Sequence, residues 1–129
     1  MTGPEGLGRT GTPSLAPLVR VLSTASIAHY WENNDVLVVG LSGEIDMSNV
    51  DDLRDEIGLV ARAGTRCVVF DLSSLDFIDS SGLSLLVTVA NDVGAARLRG
   101  PSLIVRRLVD LTGLGQILPT EENVPTDET

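Results

Sequence analysis

The sequence predicts an α/β fold: a mostly parallel sheet of four to five strands, opened by an N-terminal β-hairpin, with helices packed against it. Three observations predict it. Short β-branched apolar runs such as "VLVVGL" and "CVVFDL" alternate with longer segments whose apolar residues recur at helical spacing. Hydrophobic residues make up 43% of the chain but aromatics only 3%, so the core has to be built from Val, Leu, Ile and Ala, which suits a small sheet covered by helices. The length, 129 residues, leaves room for one core and no second.

The elements follow in order. Residues 1–23 are rich in Gly, Pro, Thr and Ser without periodicity, the composition of a flexible arm. Residues 120–129, "TEENVPTDET", are polar and acidic and form a matching flexible tail, so the folded unit spans residues 24–119. Within it, "SIAHYWENNDVLVVGLSG" holds two strands joined at the turn-forming cluster Asn33-Asn34-Asp35. The second, Val36 to Leu41, is almost wholly apolar, as expected of a strand buried on both faces. Val50, Leu53, Ile57 and Val60 then fall at helical spacing, with acidic residues early, Arg62 late and Gly64 as the stop, an order that complements the helix dipole.

Arg66 to Asp71 reads as a central strand, in which Cys67 is a small core residue. Leu83, Leu86, Val87 and Ala90 trace one face of a helix that closes near Gly94. Ala95 to Arg99 is a short strand. Pro101-Ser102 opens a last helix, in which Ile104, Val105, Leu108 and Val109 keep helical spacing until Gly113. The order is β, β, α, β, α, β, α.

Charge and inventory remove several kinds of chemistry. All nine basic residues are Arg, so mechanisms that need an amine, such as Schiff bases and P-loop lysines, are absent. The net charge of −9 is distributed as about +1 in residues 1–23, −6 in 24–120 and −4 in 121–129. An acidic folded part repels phosphate backbones and anionic lipid surfaces, which points away from nucleic acid and membrane and towards a protein partner with a basic face. Cys67 and His29 are each the only one of their kind, leaving no intrachain disulfide and no convincing transition-metal site. The N-terminus lacks the pattern of a signal peptide and no run of about 18 apolar residues could span a bilayer, so the expected location is the cytoplasm.

The segment "LDFIDSSGLSLL", residues 75–86, places Ser80 and Ser81 at the mouth of a helix. One reading is structural: Asp79 or Ser80 caps the free backbone N–H groups of the first turn. A nucleophilic serine is a second, but it lacks a base, since His29 sits on the first expected strand and no G-x-S-x-G elbow is present. In the third, Ser80 is a site on which another enzyme acts. A phosphoryl group there would be exposed, and Asp76, Asp79 and Asp46 would be repelled by the added dianion if they are close.

"LSGEIDMSNVDDLRDEI", "CVVFDLSSLDFIDSSGLSLL" and "PSLIVRRLVDLTGL" together resemble the anti-sigma factor antagonists, the single-domain form of the STAS family, over about residues 25 to 118. The resemblance implies a STAS-type fold and a partner switch. Unphosphorylated, such a protein binds an anti-sigma factor and frees the sigma factor. The anti-sigma factor is commonly a GHKL-type serine kinase that uses its own bound ATP and magnesium to phosphorylate the antagonist, and a PP2C-type phosphatase resets it. The antagonist itself is then no enzyme and carries no cofactor or metal.

Carried over by position, the phosphoacceptor is Ser80, in "DSSGL", and the functional aspartate after the second strand is Asp46, in "GEID". Ser81 and Gly82 shape the loop, Asp79 holds the start of the helix, and Asp76 completes the partner-binding set. Residues 83–100 look several positions shorter than the usual pattern, and if the helix there forms part of the docking face, partner choice would differ from the family norm. Two other roles share this fold class. A STAS domain can serve as a scaffold or transporter-accessory module without phospho-switching. A phosphoaspartate receiver would need a lysine, which this chain lacks.

Overall fold

The computed structural model describes residues 18–22 and 24–121; the first seventeen residues of the expected arm, residue 23 and residues 122–129 of the expected tail lie outside the described residues. Five strands form one sheet in the order β1 (Leu18–Leu22), β2 (Ala25–Asn33), β3 (Val36–Ile45), β4 (Cys67–Ile78), β5 (Ala96–Arg99). β1 and β2 pair antiparallel, as do β2 and β3, whereas β3–β4 and β4–β5 are parallel. The sheet is therefore evenly mixed, where a mainly parallel one was expected. The difference comes from β1: residues 18–22, assigned to the arm, form a strand against β2, because "LVRVL" is β-branched enough to pair although the Gly- and Pro-rich residues before it mask the signal.

Three helices join the strands: α1 (Val50–Val60), α2 (Ser80–Val93) and α3 (Leu103–Leu111). Their apolar faces meet one side of the sheet. Leu53 and Ile57 of α1, Leu83 and Leu86 of α2, and Val105 and Val109 of α3 share a core with Leu37, Val39, Phe70, Leu72 and Leu98. α1 ends two residues earlier than its pattern implied, with Ala61 extended. Arg62 therefore lies outside the helix and does not face its dipole; its guanidinium stacks 3.9 Å from the centroid of the Trp31 ring. α2 closes on Gly94, whose φ of 113° allows its N–H to reach Ala90 O at 2.8 Å. The short β5 then forms as expected, despite the shortened region before it.

The opposite side of the sheet carries no helix among the described residues. Tyr30, Val38, Val69 and Arg97 stand in one row across β2 to β5, and Val38 and Val69 are nonetheless fully buried. Arg99, two residues along β5, reaches over this row. Its guanidinium donates to Tyr30 Oη (3.3 Å), Glu32 Oε2 (3.0 Å) and both oxygens of Glu121 (2.7 and 3.0 Å), so it ties β2 and the segment after α3 to β5 on this side. Thr120 and Glu121, expected in the flexible tail, are thus tied down: Leu98 N donates to Pro119 O at 2.8 Å and Leu98 bridges Thr120. Among the described residues, no helix is long and apolar enough to cross a membrane.

Candidate functional site

β3 and β4 are parallel neighbours in register at Ile45 and Ile78, so the loops that follow them emerge side by side at one edge of the sheet. β4 runs well past Asp71, where its end was expected, and continues through the exposed Ser73-Ser74 to Ile78. Irregular pairing with β3 absorbs the extra length. As a result the DSSG segment begins directly at the strand end, and the Asp79 N–H donates to Ile45 O at 3.1 Å, stitching the two loops together.

Asp79 is the N-cap of α2. Its Oδ1 accepts from the Gly82 N–H at 3.0 Å and from the Ser81 hydroxyl at 2.5 Å. The Ser81 hydroxyl bond is the main reason why its carboxyl sits below the usual aspartate value; burial opposes this, and the amides of Gly82, Ser81 and Met47 add to it. Ser81 is half-buried by this contact. Gly82 is buried, and a β-carbon there would stand 2.9 Å from Ile45 Cγ2 and closer still to Ile78, so only glycine lets the helix start seat against both strand ends. Ser80, by contrast, is exposed on the first turn.

Asp46 is half-buried on the neighbouring loop, and its Oδ1 accepts from the Ser48 N–H (2.9 Å) and Ser48 hydroxyl (2.6 Å). The structure thus brings Asp46 beside the Asp79 loop through the backbone, while the two carboxylates are engaged separately. Asp76 is exposed near the end of β4. One residue that organises this edge was missed from sequence. Asn49 is the only buried polar side chain among the described residues, with 1% exposure. It accepts from Asp46 N (3.1 Å) and donates to Glu44 O (2.8 Å) and Thr24 Oγ1 (3.3 Å), so its amide holds the Asp46 turn closed. The D-x-x-N spacing is the only trace of this in the sequence.

A second missed feature is the wall opposite Ser80. Asp76, Phe77, Asp79 and Ser80 form one side of a cleft of about 490 Å³, and Ile104, Arg107, Leu108 and Leu111 of α3 form the other. Ile104 was expected in the core with Val105, but α3 buries Val105 and Val109 and leaves Ile104 79% and Leu111 85% exposed. Phe77 is half exposed beside them, and Met47 on the Asp46 loop is 80% exposed. The signal was readable as spacing: Ile104, Leu108 and Leu111 stand at i, i+4 and i+7, a second apolar stripe beside the buried one.

Comparison with known proteins places these features in a family. The STAS domain pattern matches residues 30–126. An anti-sigma-F factor antagonist, RsfB, of Mycobacterium tuberculosis is 31% identical over 86 residues, which cover 64% of this chain and 70% of that protein. The structure of an anti-sigma factor antagonist from Mycobacterium paratuberculosis superposes with a TM-score of 0.58 at 31% identity, covering 88% of this chain and 87% of the other. The anti-sigma factor antagonist SpoIIAA in its unphosphorylated form gives a TM-score of 0.63 at 24% identity, over 79% and 90% of the two chains, which is a likeness of fold. With a family pattern that spans most of the sheet, all three helices and both loops of the site, this chain belongs to the STAS domain family.

Proposed function

We propose that this chain is an anti-sigma factor antagonist: a protein-binding switch of the cytoplasm, without catalytic activity of its own, that captures an anti-sigma factor and is released from it by phosphorylation of Ser80. The observation that carries this is the placing of the exposed Ser80 on the rim of an apolar cleft in which Phe77, Ile104 and Leu111 stand exposed among the described residues. Exposed apolar residues grouped around a modifiable group are what a switchable interface requires. The relatives named as anti-sigma factor antagonists supply the partner class.

The chemistry asks little of this chain. A GHKL-type serine kinase, acting also as the anti-sigma factor, brings ATP and magnesium. The bond between Ser80 Oγ and the γ-phosphorus forms as the bond to the β-phosphate oxygen breaks, ADP leaves, and the hydroxyl proton passes to a base of the kinase. The resulting dianion lies beside Asp76 and Asp79, so it opposes a docking surface that was apolar and acidic before. A PP2C-type phosphatase hydrolyses the phosphoester and restores it.

The test is binding and phosphorylation with each GHKL-type kinase of the source organism. Unmodified protein and Ser80→Ala are expected to bind one of them alike, only the former gaining one phosphate, and Ser80→Asp to bind at least about tenfold more weakly. Phosphorylation of Ser80→Ala at full yield would show that the acceptor lies elsewhere. Tight binding without any modification would leave a scaffold or transporter-accessory module in which Ser80 belongs only to the helix cap.

A further inference from the structure

We propose that the phosphorylated form is held by a latch within this chain: Arg107 of α3 crosses the cleft and pairs with the phosphate on Ser80, closing the apolar surface between them. This deepens the preceding reading and rests on Ser80 being the acceptor.

The argument begins with the donors at the start of α2. A phosphate on the first turn of a helix is ordinarily held by the free backbone N–H groups there. Here the cap carboxylate has taken that position. Asp79 Oδ1 already accepts from the Gly82 N–H and the Ser81 hydroxyl, and the Ser81 amide also favours its charge. A dianion on Ser80 therefore finds its nearest backbone donors engaged by another anion, and it needs a cation from elsewhere.

Arg107 is the one basic residue that lines the cleft with Ser80. It is exposed, and it has no hydrogen bond or ion pair among the described residues. Other arginines are committed: Arg66 to Asp35, Arg99 to Glu32 and Glu121, and Arg62 to the Trp31 ring. A free guanidinium at the edge of an apolar wall is a planar fork suited to two phosphate oxygens, and its stem can lie along Leu108 and Leu111 as it reaches over. The charged groups that line the cleft with the phosphate are then Asp76 and Asp79 on its own side and Arg107 opposite, while Asp46 on the adjacent loop is turned onto Ser48. The two carboxylates raise the second phosphate pKa and Arg107 lowers it.

Closing the cleft has a consequence that repulsion alone lacks. Pairing at its mouth covers Phe77, Ile104, Leu108 and Leu111, so phosphorylation removes the apolar docking area as well as adding charge. The two effects act in the same direction on the partner.

The experiment uses the full chain with phosphoserine installed at position 80 by genetic code expansion, which needs no kinase. Its phosphorus resonance is titrated from pH 4 to 8 in the unaltered background, in Arg107→Ala and in Arg107→Lys. Because Arg107 is exposed, both variants are expected to fold, which far-ultraviolet circular dichroism checks. The latch predicts that the second phosphate pKa rises by about half a unit or more in Arg107→Ala, with Arg107→Lys between the two. Superimposable titrations in all three proteins would overturn it. Failure of the switch reading is seen separately: a phosphoserine-80 chain that binds the anti-sigma factor as tightly as the unmodified one would sink that reading, whatever the phosphorus titration shows.

Discussion

Asp79 Oδ1 takes two hydrogen bonds from the two residues after Ser80, while its own amide donates to Ile45 O across the strand boundary. A single residue thus ties down both ends of this junction, its side chain the start of α2 and its backbone amide the link to β3. Asp79→Ala is expected to cost about 1 kcal/mol at neutral pH, the usual value of an N-cap, read from urea unfolding. The pH dependence follows from the direction of its shift. The folded carboxyl sits below its unfolded value near 3.8, so its stabilisation is complete above that value and is lost as pH falls through the lower folded one. The difference between wild type and Asp79→Ala should therefore narrow only below about pH 4; a gap that narrows between pH 7 and 5 would show that another group is responsible. Asp79 as a cap was legible in the sequence because capping is local. Asn49 was not, because D-x-x-N is a weak local signal and the burial that makes its amide matter, with its reach to Thr24 twenty-five residues away, exists only in the folded chain.

At the scale of elements, α3 carries two stripes with opposite fates. Val105 and Val109 are buried in the core, whereas Ile104 and Leu111 face solvent beside Ser80. Replacing Ile104 and Leu111 together by Ser is expected to change stability by no more than about 0.5 kcal/mol per site, as for other exposed positions. The same pair is expected to weaken binding of the anti-sigma factor by at least about tenfold, measured by calorimetry. Loss of stability without loss of binding would return the stripe to a structural role. Periodicity identified α3 and its helical phase, but it could not say which of two adjacent stripes meets the sheet, since both are equally apolar. The same limit explains β4. "CVVFDL" announces a buried strand, but its continuation to Ile78 depends on pairing with β3, and no local pattern in "SSLDF" encodes that. β1 was missed for the converse reason: a strand-like pentapeptide follows a stretch whose composition argues for no structure at all.

Across the whole molecule, the sheet is protected in two different ways, by helices on one side and, among the described residues, by long side chains gathered around Arg99 on the other. Arg99 gathers Tyr30, Glu32 and Glu121 over the buried Val38 and Val69, and so connects β2, β5 and the segment after α3. Arg99→Ala is expected to destabilise the fold by about 2 kcal/mol, because stem contacts and charge pairs are lost together, and to free the residues after Pro119 to exchange their amide hydrogens faster. Unchanged exchange at Leu98 and Thr120 would show that the backbone bridge alone holds them. The switch edge is built on another plan. Gly82 leaves no space for a β-carbon between Ile45 and Ile78, so the start of α2 is packed closely against both strand ends. What remains free to move is side chains, and these rotate in picoseconds to nanoseconds. On the function proposed above, the tempo of the signal would then be set by the enzymes that add and remove the phosphate and by the lifetime of the complex. A switch that works through side chains alone needs no slow rearrangement of the fold, so it would report its last covalent event without memory of earlier ones.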